Sequence, residues 1–293
     1  AILPLLVRTV MAEARFMRRC RPDLVYVHDS PSLLVYGLPA RLLGITVVAH
    51  AHGNDGAGLG RRLKNRLIDA KIYVSRILRE TDWSKPAFTI GNPVAIIDVA
   101  DRDRAATRDI YLVGAICDRK NQILAVGIMS ELRRRGHQAV LHLCGPVIEA
   151  GYAECVRVMI QSERLGDAVV FEGIRPLPEI LQRADLVICP SKDEAQPLIV
   201  LEALAAGIPV VASRIAAHED LAILVEGDGA LVLAEPDASS FADRILVARS
   251  SAFPATRRRV AEHFSPRRFA AQLVHAFEEI EKVLVFAKKA PDA

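Results

Sequence analysis

Short, continuously apolar runs bounded by turn-forming residues alternate along the chain with longer stretches whose apolar positions recur every three or four residues. The first kind reads as strands covered on both faces, the second as helices with one buried face. Residues 5–20 form an amphipathic helix ending in Arg18, Arg19, Cys20 and Arg21. A strand at 23–28 follows, Asp29-Ser30-Pro31 caps a helix over 32–43, and Gly44 stops it. Strands are predicted at 45–49, 70–75 and 87–90. After a polar stretch over 97–108 the alternation resumes with strand 109–114, a helix reaching Arg135, strand 139–144, a helix near 154–163 and strand 169–173. Strand 185–189, a helix opening at Pro197, strands 208–212 and 230–233, a helix over 237–249 and a charged tail helix over 265–285 complete the pattern. Strands and helices alternating at these lengths predict parallel α/β sheets.

Composition narrows the class. The 293 residues suggest two domains at ~150 residues each, and 51% hydrophobic residues supply two cores. Order is expected to give out from Lys288 onward. No apolar run approaches the ~20 residues that span a bilayer. The five cysteines (Cys20, Cys117, Cys144, Cys155, Cys189) contain no Cys-x-x-Cys pair and are read as reduced, buried residues of a cytoplasmic protein. Charge is uneven: the first 98 residues carry 14 Lys and Arg against 8 Asp and Glu. That bias suits an anionic partner, a phosphate-bearing acceptor or the inner face of a membrane. Aromatic residues are only 5% of the chain and no nucleic-acid motif is present, which argues against nucleic acid.

Candidate chemistry concentrates between Ser191 and Ser213. Glu194 lies in the loop after a buried strand, and Pro197 starts a helix with apolar Leu198, Leu201, Leu204 and Ala205. Gly207 ends that helix and Pro209 prevents its continuation. Ligands of such sheets sit beyond the carboxyl ends of the strands. Glu202, among Leu201, Ala203 and Leu204, has two readings. It either points to solvent or a helix-surface salt bridge, or it accepts hydrogen bonds from paired ligand hydroxyls. In the second reading the free N–H groups at the helix start, Leu198 and Ile199, meet the ligand's phosphates. Lys120 and Arg119 open the helix after strand 109–114. A cation in a first turn is disfavoured by the helix dipole unless an anion is present, so Lys120 is either a solvated charge or a phosphate ligand. His50 and His52 end a strand and are expected to face opposite sides of the sheet, one in the core and one exposed; His28, ending an earlier strand, is a weaker candidate. The glycine-rich loop from Gly53 to Gly60 precedes the basic run Arg61-Arg62-Leu63-Lys64-Asn65-Arg66. It reads either as a mobile surface loop or as an acceptor-side flap beside a phosphate- or lipid-facing helix.

Glu194-x7-Glu202 followed by Ala-Leu-Ala-Ala-Gly-Ile-Pro-Val-Val-Ala-Ser resembles the signature of retaining glycosyltransferases of family 4, which have the GT-B fold. The resemblance implies two Rossmann-like, doubly wound parallel-sheet domains facing a cleft, the first of them incomplete. The expected divisions are 1–100 on the acceptor side, 101–267 for nucleotide-sugar binding, and 268–293 as a helix crossing back to the first domain. It further implies that Glu202 holds the donor ribose, that Glu194 lies beside the donor sugar, and that Lys120, six residues after Gly114, neutralises the diphosphate. His52-Gly53 is similar to the His-Gly of the first lobe, whose histidine lies near the reacting carbon, and Arg175 falls in the loop that reads the base. Gly91-Asn92-Pro93 resembles the turn before the interdomain linker. The family usually has Gly-Phe after the first glutamate where this chain has Ala195-Gln196, and often arginine after the glycine where it has Ala115. No Asp-x-Asp pair stands at the expected site, so no metal or other cofactor is expected. The expected partners are a nucleotide sugar and a saccharide or lipid-linked acceptor, in envelope or polysaccharide synthesis. The chain starts at Ala1 within helical sequence, with four strands and no glycine-rich loop before them, and is expected to lack an upstream segment. A sugar-nucleotide epimerase of the same architecture and a non-catalytic nucleotide-sugar-binding protein are the alternatives.

Overall fold

The computed structural model describes residues 2–53, 59–97, 99, 108–248 and 253–289. Positions 54–58 of the glycine-rich loop, most of the polar stretch after Ile97 and the end of the chain beyond Lys289 lie outside the described residues. The described chain divides into two compact units: residues up to Asn92 together with those from Phe269 onward, and Pro93 to Arg268.

The first unit is built on β1 (Leu24–Val27), β2 (Thr46–Ala51), β3 (Ala70–Tyr73) and β4 (Ala87–Thr89), all parallel and in that order. Strand alternation sends neighbouring residues to opposite faces. Val47 packs with Met17, Val27, Leu33, Ala40 and Ile68 on one side. Val48 packs with Ile72, Ile90, Ala276 and Ile280 on the other. The tail helix Pro266–Lys289 therefore covers the face opposite the opening helix Ile2–Cys20. Both faces being covered, the strands can be apolar throughout.

The helix expected over 32–43 is interrupted. Ser30–Ser32 is α-helical with Asp29 as its cap, Leu33–Gly37 widens into a π turn, and Leu38–Leu42 returns to α. Pro39 cannot donate to the carbonyl four residues back, and a widened turn accommodates that loss. At Gly37 a Cβ would lie 2.7 Å from Leu33 Cδ1, so a larger residue there would require the Leu33 side chain to shift.

The second unit holds β5 (Asp109–Val113), β6 (Val140–Cys144), β7 (Val169–Gly173), β8 (Leu186–Cys189), β9 (Val210–Ser213) and β10 (Leu231–Ala234). Their parallel sheet runs β10-β9-β8-β5-β6-β7. Ile110, Leu112, Leu141, Ile188 and Phe241 share one core, and Tyr111, Val187, Leu201, Leu204, Val210 and Val260 share the other. Three helices were not legible as periodic stretches: Leu177–Arg183, Ala216–Leu224 and Pro254–His263. The last buries only Thr256 and Val260 along ten residues, too few to print a 3.6-residue period. The cysteine expectation holds for Cys117, Cys144 and Cys189, which are buried, but Cys20 and Cys155 are exposed.

Candidate functional site

Chain order along the second sheet reverses at β5. The strands β6 and β7 extend to one side, whereas β8, next in sequence, returns to the other side of β5. Crevices beyond the carboxyl ends of strands at such a switch point are where open α/β sheets bind ligands. The loops following β5 and β8 carry most of the residues singled out from the sequence.

The β5 loop is held by its own backbone and by Gln122. Gly114 N–H donates to Cys144 O at 2.8 Å and Ile116 N–H to Pro146 O at 2.8 Å. Buried Gln122 accepts from Cys117 N–H at 3.3 Å and donates to Ala115 O at 2.9 Å. Gly145, at the end of β6, has φ +151°, and a Cβ there would fall 2.1 Å from the Gly114 carbonyl oxygen. Only glycine lets the two loops approach this closely. Gly114, at φ +153°, lies under the Lys120 stem, whose Cε would meet an added Cβ at 3.0 Å.

Lys120 does not sit in a helix's first turn. It closes a 3₁₀ turn, Asp118–Lys120, and left-handed Asn121 joins that turn to the helix Gln122–Arg134. The dipole argument for an anion therefore lapses, and a direct contact replaces it. Lys120 Nζ lies 2.6 Å from Glu194 Oε1, and Arg119 Nη1 lies 3.0 Å from Glu194 Oε2. Arg119 Nη1 also donates to Asp193 O at 3.0 Å, Lys192 N–H donates to Arg119 O at 2.9 Å, and Lys192 Nζ meets Asp118 at 2.6 Å. These bonds fasten the β5 loop to the β8 loop. Glu194 is only 8% exposed. Burial pushes its carboxyl up, but Lys120, with help from Ser191 and Arg119, more than offsets this and holds it below the usual range. Two cations thus converge on one carboxylate, leaving a local excess of positive charge beside a solvent-facing Arg119.

Behind Glu194 lies a buried polar pair that the sequence did not announce. Cys189 ends β8, and His218 comes from the unanticipated helix Ala216–Leu224. His218 Nδ1 is 2.7 Å from Ser213 O. Burial would raise the Cys189 thiol, yet the adjacent His218 outweighs it and lowers the thiol, while the His218 imidazole is raised against burial by the same contact. Its only sequence signal was a lone histidine in an alanine-rich stretch.

The helix Leu198–Ala205 begins at Pro197 with no side chain capping it. Its first hydrogen bonds to Pro197 O come from Val200 and Leu201, so the Leu198 and Ile199 N–H groups stand at the uncapped end. Glu202 lies one turn further along, half-buried, and no described residue bonds its carboxylate. Burial raises that carboxyl above its ordinary value. Arg175, beyond β7, is held 3.3 Å from Glu172, which also meets His142 at 2.7 Å. The structure thus gathers Gly114, Arg119, Lys120 and Glu194, puts Leu198, Ile199 and Glu202 on the adjoining helix, and places Arg175 at the end of β7.

His52 belongs to the first unit, and there the expectation of opposite faces fails. Residues two apart on a strand share a face, and the His50 and His52 rings are 4.3 Å apart by centroid. His28 joins them, its Nδ1 3.1 Å from His52 Nε2. His50 is buried, its Nδ1 2.5 Å from the Tyr26 hydroxyl. Burial first, then the neighbouring histidines, pushes His50 down to about 3 and lowers His52, so both are neutral near pH 7. These rings line a cavity of about 220 Å³ with Asp29, Ser30 and Gly53.

Comparison with known proteins agrees with this architecture. Residues 102–263, more than half of the chain, match the family described as Glycosyl transferases group 1. The UDP-N-acetylglucosamine--N-acetylmuramyl-(pentapeptide) pyrophosphoryl-undecaprenol N-acetylglucosamine transferase of Tolumonas auensis is 31% identical over 217 residues, 70% of this chain and 56% of that protein. The D-inositol 3-phosphate glycosyltransferase of Corynebacterium jeikeium is 33% identical over 147 residues, 47% of this chain and 34% of that protein. This chain therefore spans little more than half of the one relative and about a third of the other. Among solved structures, Anabaena Alr3699/HepE in complex with UDP and glucose superposes with a TM-score of 0.80 at 17% identity, covering 94% of this chain and 81% of that one. Sucrose-phosphate synthase from Thermosynechococcus elongatus gives 0.75 at 21% identity, covering 95% of this chain and 78% of that one. At such identities these structures speak for the fold alone.

Proposed function

Since the chain belongs to the glycosyl transferases group 1, with the two parallel-sheet units of GT-B glycosyltransferases, we propose that it moves a sugar from a nucleotide diphosphate sugar to a saccharide or lipid-linked acceptor, with retention at the anomeric carbon. The observation that carries this reading is the convergence of Lys120 and Arg119 on Glu194 at the switch point. A site with two cations and one buried carboxylate has positive charge to spare for a diphosphate. As the bond to the sugar breaks, negative charge grows on the diphosphate, and fixed cations stabilise it. The Leu198 and Ile199 N–H groups, at the positive end of their helix, are suited to the phosphate oxygens.

Glu202 takes the ribose. A half-buried carboxylate without a described partner is an acceptor that two vicinal hydroxyls would satisfy. Glu194, already anionic, is assigned to the donor sugar, and His52, neutral near pH 7, to the region of the reacting carbon. Arg175 is assigned to the loop that reads the base. Donor chemistry in this reading uses Lys120, Arg119 and helix-start amides in place of a metal. The acceptor lies on the side of the basic first unit, where an anionic membrane surface would hold a lipid-linked acceptor. The similarity to a relative named for a pyrophosphoryl-undecaprenol substrate supports a lipid-linked acceptor.

Ala115 and Ala195-Gln196, where the family usually has arginine and Gly-Phe, favour a second reading in which the chain binds a nucleotide sugar without transferring it. Mass spectrometry of nucleotide retained on gentle purification, followed by assays of donor hydrolysis and of transfer to added acceptors, separates the two. Bound nucleotide sugar with neither hydrolysis nor transfer would favour the binder, and absence of any nucleotide-sugar binding would remove both.

A further inference from the structure

His28 and His50 have no part in the proposed sugar transfer, yet their imidazoles stand beside that of His52 as one set. We propose that these three histidines bind a zinc-class transition-metal dication, a reading that does not rest on the transferase activity. Each ring offers one nitrogen, and the three atoms lie within 4.8 Å of one another. The His28 Nδ1 to His52 Nε2 separation is 3.1 Å. Two nitrogens bound to a tetrahedral zinc at 2.0–2.1 Å stand roughly 3.3 Å apart. That pair is already spaced as a metal would space it, and the third ring offers a nitrogen within 4.8 Å of both.

Backbone geometry explains why the set exists. The parallel register pairs Tyr26 of β1 with Val48 of β2, and continuing it sets His28 beside His50. His52, two residues beyond His50, falls on the same face. Two strand ends thus deliver three imidazoles to one point. The His28–His52 hydrogen bond does not account for His50. Its Nε2 is buried and meets no partner at hydrogen-bond geometry, although the Ile90 backbone is near enough to favour a charged ring weakly. The Tyr26 hydroxyl on Nδ1 fixes the ring's orientation.

The adjoining cavity of about 220 Å³ leaves room for an exchangeable fourth ligand, the arrangement of zinc sites with three protein ligands and an open position. Lys71, which lines the cavity, is bonded to Glu80 and Asn65, so its charge is matched within the protein. An all-imidazole set selects zinc, copper, nickel or cobalt over magnesium and calcium, which require oxygen ligands.

The test is titration of untagged, chelator-treated protein with Co²⁺ and then Zn²⁺, read by the visible absorption of four-coordinate cobalt and by competition with a chromogenic chelator. One equivalent of Co²⁺ should produce the band, Zn²⁺ should abolish it, and excess Mg²⁺ should not. His28→Ala and His52→Ala change exposed side chains, and each should weaken binding by at least about tenfold. His263→Ala, in the other unit, should leave affinity and stoichiometry unchanged. Thermal melts of the apo variants matching the parent separate lost ligands from lost folding. Absence of a one-to-one cobalt complex in the parent protein, or unchanged affinity in His28→Ala and His52→Ala, overturns the proposal.

Discussion

At the level of single residues, the site is decided by which charges the fold leaves unmatched. Glu194 is matched twice over, and Lys120 and Arg119 retain a net positive charge toward solvent. Lys120→Ala and Glu202→Ala should each weaken nucleoside diphosphate binding by about 1.5–3 kcal/mol, the range for charge-assisted hydrogen bonds. Isothermal titration calorimetry measures this directly, and unchanged affinity in both variants would remove the site assignment. The lowered Glu194 carboxyl has a consequence for stability. Its folded-state value lies below its unfolded one, so the pairing stabilises the fold above the ordinary glutamate range, near ~4.3, and that contribution is lost as pH falls through the lowered value. Glu194→Gln should therefore be less stable than the parent at neutral pH, with the gap closing in acid, as urea midpoints at the two pH values would show. A constant gap would mean that the pairing contributes nothing that titrates. Glu194 and Lys120 were legible because their neighbours in sequence form a motif. The contact between them was not, since 74 positions separate two loops joined only by the order of strands in the sheet. The histidines show the opposite failure: the strand was read correctly, but strand alternation itself puts His50 and His52 on one face.

Among the elements, buried strands and the helices with regular apolar stripes could be read from the chain, usually to within a residue or two. Leu186–Cys189 and positions 210–212 of the next strand are apolar throughout because helices cover both faces. Pro254–His263, whose burial is sparse, left no clear period, whereas the 30–42 segment was legible as a helix but its π turn before Pro39 was not. The loops joining these elements tolerate less than their sequence suggests. At Gly145 the position needs both a positive φ and the absence of a Cβ, because the neighbour is backbone that has no rotamer to yield. Gly145→Ala should destabilise the second unit by about 1–3 kcal/mol, the usual range for a residue held in a disfavoured backbone region. It should also weaken nucleoside diphosphate binding, since the Gly114 carbonyl it displaces belongs to the loop beneath Lys120. Denaturant midpoints and calorimetry on one preparation test both, and a variant with parental stability would show that the two loops separate freely.

For the molecule as a whole, the sequence pointed to a basic first unit facing an anionic partner, and the structure narrows which residues could serve. In the helix Leu59–Leu67, Arg61 is 3.1 Å from Asp82, and Lys64 donates to Ser30 Oγ at 3.0 Å. Arg62 and Arg66 are exposed, as are Leu59 and Leu63, so cations and apolar side chains are presented together. Among the described residues no helix is long and apolar enough to cross a membrane. Contact with a bilayer through this helix would therefore be interfacial, with leucines at the acyl boundary and arginines at the headgroups. A cation near an anionic surface contributes about 1 kcal/mol. Replacing both Arg62 and Arg66 with alanine should then lower affinity for anionic vesicles by roughly thirtyfold at low salt, as two such contributions require. Binding of the parent should weaken as salt shortens the range of the attraction, to about 8 Å at physiological ionic strength. Co-sedimentation with phosphatidylserine and with phosphatidylcholine vesicles across a salt series makes the measurement. Equal binding to the two lipids, or no effect of the double replacement, would leave Arg62 and Arg66 as solvated charges and place the acceptor's anionic surface elsewhere.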